Sequence, residues 1–245
     1  MKCERVYFFA HPEQPLREVE WIHYGRYLDE RCKGKPTQYI TRRQEFFGRE
    51  FRVTKDVLIP RPETELLVET VLRLRREQGT VVDVGTGSGC VAISLALESK
   101  PAGDRLYVGL DLSAKALRVA RGNAEHLRAD VSFLESNLLT AICDSSIDVV
   151  VSNPPYVPLG DWPGMQREVR DWEPHLALFA GASGLAIYER LIPEAWRVLK
   201  SGGLLALELG FGLSEAVAEL VRGWKRVEIL PDLAGIPRVL VCKKP

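Results

Sequence analysis

The sequence lacks paired cysteines, long apolar runs and any excess of charge of one sign. Cys3, Cys32, Cys90, Cys143 and Cys242 are odd in number and scattered, with no C-x-x-C and no histidine at ligand spacing. That pattern argues against a disulfide framework and against a metal site, and a reducing cytoplasmic setting is expected. The apolar stretch at residues 6–10 is too short for a signal segment and runs at once into His11-Pro12-Glu13. No run of 18 apolar residues exists, so no membrane association is expected. With 33 Lys+Arg against 33 Asp+Glu, the chain has no overall field with which to collect phosphates, and a nucleic-acid partner is not expected. The four histidines stand apart, and neither a P-loop nor a Ser-His-Asp arrangement is present.

What remains is 245 residues, 46% hydrophobic and 27% charged, enough chain to bury a core without staples. Residues 1–55 read differently from 56–245. Residues 15–32 suit a helix that brings Leu16, Val19, Ile22, Tyr27 and Leu28 near one another, and residues 44–53 suit two short strands around Gly48. From Arg31 to Lys55, eight basic residues stand against two acidic ones, interleaved with Tyr39, Phe46, Phe47 and Phe51. This segment is predicted to present a basic, aromatic surface.

From residue 64 onward helix and strand alternate. Helices are predicted at 64–78, 90–99, 113–128, 185–199 (with a kink at Pro193) and 214–221. Strands are predicted at 80–84, 105–110, 131–134, 147–152, 203–209, 226–230 and 238–243. Seven strands with almost no helix between the last two predict an α/β fold: a Rossmann-like, doubly wound sheet whose final strand runs antiparallel. The carboxyl ends of the first, second and fourth strands then carry the three most unusual stretches of the chain.

The first is Gly85-Thr86-Gly87-Ser88-Gly89, where glycines let the backbone pass close under a ligand and the next helix offers free N–H groups. Its third glycine comes one residue earlier than in a dinucleotide fingerprint, which favours S-adenosyl-L-methionine over a nicotinamide cofactor. A tight turn without a ligand would use the same residues. The second is Asp111, placed to accept hydrogen bonds from both ribose hydroxyls of an adenosine ligand. The alternative, a helix cap, is better served by Ser113. The third is Asn153-Pro154-Pro155-Tyr156. The Asn153 side-chain oxygen and the Pro154 carbonyl can accept N–H groups of a planar amine or amide, Pro155 stiffens the wall and Tyr156 can pack over the planar group. A plain Asn-Pro turn is the competing reading.

Together LIPRPETELLVE (58–69), DVGTGSGCVAISLALE (83–98), GLDLSAKALRVARGNA (109–124), VSNPPYV (151–157), EVRDWEPHLAL (168–178) and LLALELG (204–210) resemble the release factor glutamine methyltransferases, the PrmC/HemK family, from about residue 34 to 245. The resemblance implies a class I S-adenosylmethionine-dependent methyltransferase acting on the amide nitrogen of the glutamine in the Gly-Gly-Gln loop of peptide chain release factors. Carried over by position, Gly85, Thr86, Gly87, Ser88, Gly89, Asp111, Asn137 and Leu138 bind the cofactor, with Asn153 reaching it as well. Asn153, Pro154, Pro155 and Tyr156 hold the substrate glutamine, with Asn153, Pro154 and Tyr156 carrying the chemistry. Pro60, Arg61, Pro62 and Thr64 are expected near the cofactor end, although Arg61 and Glu65 could equally form a surface ion pair.

The resemblance also implies that residues 1–55 form a short substrate-docking region and residues 56–245 the methyltransferase domain. Three stretches depart from the family pattern: Ser136-Asn137-Leu138 in place of Ser-Asp, Gly210-Phe211-Gly212-Leu213 without the usual Gln, and the residues before about Gly34, expected to be a shortened or divergent helical domain. His175 is predicted to pack rather than react, and Trp162 and Trp172 either line a cleft or close a loop. Alternatives left open are a methyltransferase acting on a ribosomal-protein glutamine or on a nucleic-acid adenine amine, and a non-catalytic S-adenosylmethionine-binding protein.

Overall fold

The structure, a computed structural model, describes residues 5–74, 79–99 and 105–245. Its amino-terminal part holds α1 (Arg5–Ala10), α2 (Glu18–Cys32) and α3 (Thr37–Thr41), then a hairpin of β1 (Arg43–Phe46) and β2 (Arg49–Arg52). Glu20 starts α2 by accepting the Arg17 backbone N–H at 2.9 Å and its guanidinium at 2.8 Å. The apolar residues predicted to gather on α2 are not covered: Ile22 is 65% exposed, and no residue of the helix is buried.

The hairpin turns on Phe47 and Gly48, both at positive φ, as a two-residue turn between right-twisted strands requires. Alternation then sends Phe46 and Phe51 inward, fully buried against Leu67, Val68 and Val71. Two side chains pin it further. Glu65 accepts the Phe47 N–H at 2.7 Å, and the buried Asn123 amide accepts from Arg52 N at 2.8 Å while donating to Arg52 O at 3.0 Å and Ser88 O at 2.8 Å.

The remainder is α4 (Glu65–Leu74), β3 (Gly79–Val84), α5 (Cys90–Leu97), β4 (Arg105–Asp111), α6 (Ala114–Leu127), β5 (Ser132–Glu135), β6 (Ile147–Ser152), α7 (Arg167–Trp172), α8 (Ala186–Val198), β7 (Leu199–Glu208), α9 (Ser214–Leu220), β8 (Lys225–Pro231) and β9 (Pro237–Lys243). The seven-stranded sheet has the order β5-β4-β3-β6-β7-β9-β8, parallel except for β9, which is antiparallel to both neighbours. The predicted doubly wound sheet and its antiparallel last strand are therefore present.

Strand alternation builds two cores. Val82, Val84, Val150, Leu205, Leu207 and Leu240 face α8 and α9, whereas Val81, Val149, Val151, Ala206, Val239 and Val241 face α4 and α5. The chain winds outward in opposite directions from the β3–β6 pair, so a crevice opens at their carboxyl ends.

Several boundaries differ from the sequence reading. The predicted helix 64–78 is α4 up to Leu74, and residues 75–78, like Cys3, lie outside the described residues. Strand β7 starts at Leu199 because Leu199 pairs with Ile147 ahead of an irregularity in the ladder. Helix α8 continues through Pro193. No helix among the described residues is long and apolar enough to cross a membrane, and no group of His, Cys, Asp or Glu among them could hold a metal ion.

Candidate active site

A cavity of ≈ 360 Å³ lies at the carboxyl ends of β3, β4, β5 and β6. Gly85, Gly87, Asp111, Asn137, Leu138, Asn153 and Pro155 all reach it, so residues from well-separated parts of the sequence meet in one crevice. Its floor is the loop after β3. Gly85 N and Thr86 N both donate to Leu110 O, at 2.8 and 2.9 Å, which bends the chain sharply and leaves Gly87 at φ +56°. A side chain at that φ is strained, so glycine keeps the loop backbone bare toward the cavity.

Thr86, Ser88 and Gly89 do not line the cavity. The Thr86 hydroxyl donates to Asp83 Oδ2 at 2.7 Å, the Ser88 carbonyl is held by Asn123, and Gly89 leads into α5. Asp83 also accepts the Ala92 N–H, and burial pushes its carboxyl up to about 7.

Asp111 accepts Gly87 N–H at Oδ2 (2.9 Å) and Ser113 N–H at Oδ1 (2.8 Å). Burial raises its pKa and these amides oppose the rise. The capping role belongs to Ser113, whose hydroxyl accepts from Ala116 N at 3.2 Å. Each Asp111 oxygen therefore retains acceptor capacity for a further donor. Along the same wall the Asn137 side-chain oxygen accepts from Arg190 at 2.9 Å, which leaves the amide's donor end for a ligand, and Leu138 adds an apolar surface.

At the end of β6, the Asn153 carboxamide donates through Nδ2 to Thr64 Oγ1 at 3.0 Å. Thr64 in turn donates to Glu208 Oε2 at 2.6 Å. Pro154 is buried behind Asn153. Tyr156 turns into the core, where a methyl group on Gly210 would come within 2.8 Å of its ring, and burial pushes its hydroxyl up to about 12. Glycine at 210 thus leaves the space in which the ring is seated.

Arg61 does not pair with Glu65. Its guanidinium meets Glu173 at 2.6 Å, tying the segment before α4 to the loop after α7, while Glu65 is engaged by the hairpin. The two groups are close in sequence, but each is engaged by a partner elsewhere in the fold. Thr64, expected near the cofactor end, accepts the Asn153 amide N–H. His175 stacks edge-on to Trp162 at 4.6 Å and lies 5.8 Å from Phe179, consistent with packing. Trp172 packs beside Tyr39, Val57 and Ile59.

Five of the eight basic residues in 31–55 pair with acids, two of them distant in sequence and three close by. Arg31 meets Glu168 at 2.9 Å, Lys33 meets Asp29 at 2.6 Å and Arg49 meets Glu98 at 2.5 Å, while Lys35 pairs with Glu30 and Arg43 with Glu50. Residues 55–58 cover one side of the cavity, a role the sequence did not suggest, and Glu208, within the LLALELG stretch, was assigned no role from sequence.

Comparison with known proteins places these features in context. A family model described as the methyltransferase small domain matches residues 62–161, and one described as the PrmC N-terminal domain matches residues 1–41. The likeness thus extends before residue 34, where the sequence reading expected a poor match; short amphipathic helices carry few motif residues. A release factor glutamine methyltransferase from Koribacter versatilis is 46% identical, covering 100% of this chain and 88% of its own. Another of the same name from Geobacter sulfurreducens is 40% identical, covering 97% and 83%. Among solved structures, a methyltransferase from Pyrococcus furiosus has the same fold at 18% identity, with a TM-score of 0.59 over 90% of this chain and 97% of that one.

Proposed function

The chain belongs to the release factor glutamine methyltransferase family, and from that membership we propose that it methylates the side-chain amide nitrogen of the Gly-Gly-Gln glutamine in peptide chain release factors, in the cytoplasm, with S-adenosyl-L-methionine as donor. The observation that carries the reading is the meeting of Gly85, Gly87 and Asp111 with Asn153 around one cavity.

The residues fit the cofactor. A bare glycine backbone passes under the cavity, a carboxylate with spare acceptor capacity suits a vicinal diol, and Leu138 with the Asn137 donor suits an adenine ring. Bound there, S-adenosylmethionine supplies a methyl carbon activated by its sulfonium. Gly85, Gly87, Asp111, Asn137 and Leu138 hold it, while Thr86, Ser88 and Gly89 shape the loop from behind.

On the substrate side, Asn153 Oδ1 and the Pro154 carbonyl accept the two N–H groups of the glutamine amide. That fixes the amide plane and aims its nitrogen, and Pro154 offers no N–H to compete. Pro155, which lines the cavity, forms the wall that keeps water from the nitrogen, and Tyr156, seated against Gly210, supports it from behind. A neutral amide needs alignment and polarisation rather than a titrating histidine, and His175 is committed to its aromatic stack. Residues 1–55 serve as the docking region, with residues 56–245 as the methyltransferase domain; the exposed aromatics of α2, such as Trp21, support this assignment more than the paired basic residues do.

Mass spectrometry of a release factor incubated with the protein and S-adenosylmethionine tests the proposal. One added methyl group on the Gly-Gly-Gln glutamine is expected, and an unmodified glutamine with the label elsewhere contradicts it.

A further inference from the structure

A carboxamide looks nearly the same from either end, yet only its oxygen can accept an N–H from a substrate amide. Asn153 therefore has to be held with Oδ1 toward the cavity and Nδ2 away from it. In the structure Nδ2 donates to Thr64 Oγ1 at 3.0 Å and Thr64 Oγ1 donates to Glu208 Oε2 at 2.6 Å. The two groups behind Asn153 are withdrawn from solvent, Thr64 at 3% exposed and Glu208 at 1%, while Asn153 itself lines the cavity.

A threonine hydroxyl has one proton to give. When Glu208 is a carboxylate it can only accept, so the Thr64 proton goes to Glu208 and Thr64 has only lone pairs for Asn153. Only the NH₂ end of Asn153 can then face Thr64. When Glu208 is protonated it can donate to Thr64, whose own proton becomes free to reach Asn153 Oδ1, and the amide can turn over. The turned amide presents a donor to the substrate's N–H groups, and the acceptor is lost.

We propose that Glu208, acting through Thr64, is the positioning residue that fixes the orientation of the Asn153 carboxamide and so keeps its acceptor facing the substrate amide. This rests on the reading of Asn153 as the acceptor for the glutamine. Three separate segments of the fold supply the parts: the turn before α4, the end of β6 and the end of β7.

The groups facing Glu208 come from every neighbouring element. Arg61 and Glu63 flank Thr64, Tyr156 follows β6, Tyr188 lies on α8, Cys90 opens α5 and Arg238 lies on β9. Burial raises both tyrosine hydroxyls and pushes the Cys90 thiol up to about 12, so these three stay neutral between pH 6 and 8. Burial also pushes Glu208 up to about 7, against the pull of Thr64, Arg238 and Arg61. Asp83 titrates in the same range, so the comparison has to cancel its contribution.

The experiment measures kcat for methylation of an intact release factor from pH 6 to 8 with wild type, Glu208→Gln, Thr64→Val and Thr64→Ser, with thermal unfolding and S-adenosylmethionine affinity measured in parallel. A protonated glutamate and a glutamine are alike, and Asp83 is common to both proteins. The ratio of wild-type to Glu208→Gln turnover is therefore expected to fall from about tenfold at pH 8 toward one at pH 6. Thr64→Val is expected to lower kcat about tenfold at pH 8 and Thr64→Ser to restore it, with donor affinity within about twofold of wild type in each. As a readout independent of turnover, the Asn153 side-chain NH₂ resonances, identified by their loss in Asn153→Ala, are expected to exchange slowly in wild type and Thr64→Ser and faster in Thr64→Val. A constant ratio across pH, or wild-type kcat in Thr64→Val, overturns the positioning role while transfer by wild type leaves the methyltransferase reading standing. Absence of transfer by the wild-type protein overturns that reading and the positioning role with it.

Discussion

The Gly87 backbone N–H donates to Asp111 Oδ2 across 2.9 Å, joining the loop after β3 to the end of β4. One carboxylate thus both braces the glycine loop and faces the cavity. Asp111→Ala is expected to weaken S-adenosylmethionine binding by roughly 1.5–3 kcal/mol, the range for hydrogen bonds to a charged group. Asp111→Asn should lose nearly as much, since an NH₂ cannot accept from both backbone amides. Gly87→Val, forced into left-handed backbone, is expected to bind weakly as well. Calorimetric titration with unchanged affinity in all three would remove the ribose assignment.

Asn153→Ala is expected to cut turnover about a hundredfold, as when one preorganised polar contact is lost, with donor affinity much less affected. His175→Ala should cost far less, because its imidazole packs on Trp162 and Phe179. Single-turnover rates compare the two directly, and a folded His175→Ala protein slower than Asn153→Ala would contradict the account.

Glu208 makes a stability prediction of opposite sign to its effect on activity. Its folded-state pKa, about 7, lies above the ordinary value of 4.5, so its contribution to stability is full below pH 4.5 and is lost as pH rises through 7. Glu208→Gln escapes that loss. The variant is expected to match wild type near pH 4.5 and to be more stable by about 3 kcal/mol at pH 8. Denaturant titrations at the two pH values read the difference, and a variant less stable than wild type at pH 8 refutes the burial cost.

Arg61 and Glu173 form an asymmetric pair: the Arg61 side chain is 33% exposed and that of Glu173 is 1% exposed. Arg61→Ala therefore leaves a carboxylate buried without its partner, and a loss of about 3 kcal/mol is expected. Adding Glu173→Gln should recover part of it, and a double-mutant cycle without coupling would show the pair to be incidental.

How much was legible beforehand depends on whether local pattern or distant contact decided the outcome. The alternating helices and strands, the antiparallel last strand, the Ser113 cap and the turn at Gly48 all follow from periodicity and turn chemistry acting within a few residues. So does the meeting of Gly85, Asp111 and Asn153, because in this topology the ends of neighbouring strands share one edge. Arg61 was different. Its partner Glu173 lies 112 positions away, and nothing in the local sequence distinguishes it from Glu65. Glu208 lies in the LLALELG stretch, but nothing there names its partner; the register of β7 beside β6 sets it near Asn153, where Thr64 docks. Val19, Ile22, Tyr27 and Leu28 of α2 have the spacing of a buried face yet remain exposed, since periodicity specifies a stripe and not what covers it.

The most direct test of the central claim offers labelled S-adenosylmethionine together with a purified release factor, the same factor with its Gly-Gly-Gln glutamine changed to alanine, ribosomal proteins and RNA. The account predicts label in the unaltered release factor alone, and about a hundredfold less of it with Asn153→Ala protein. Label that persists in the alanine-bearing factor, or that appears instead in ribosomal protein or RNA, would contradict it.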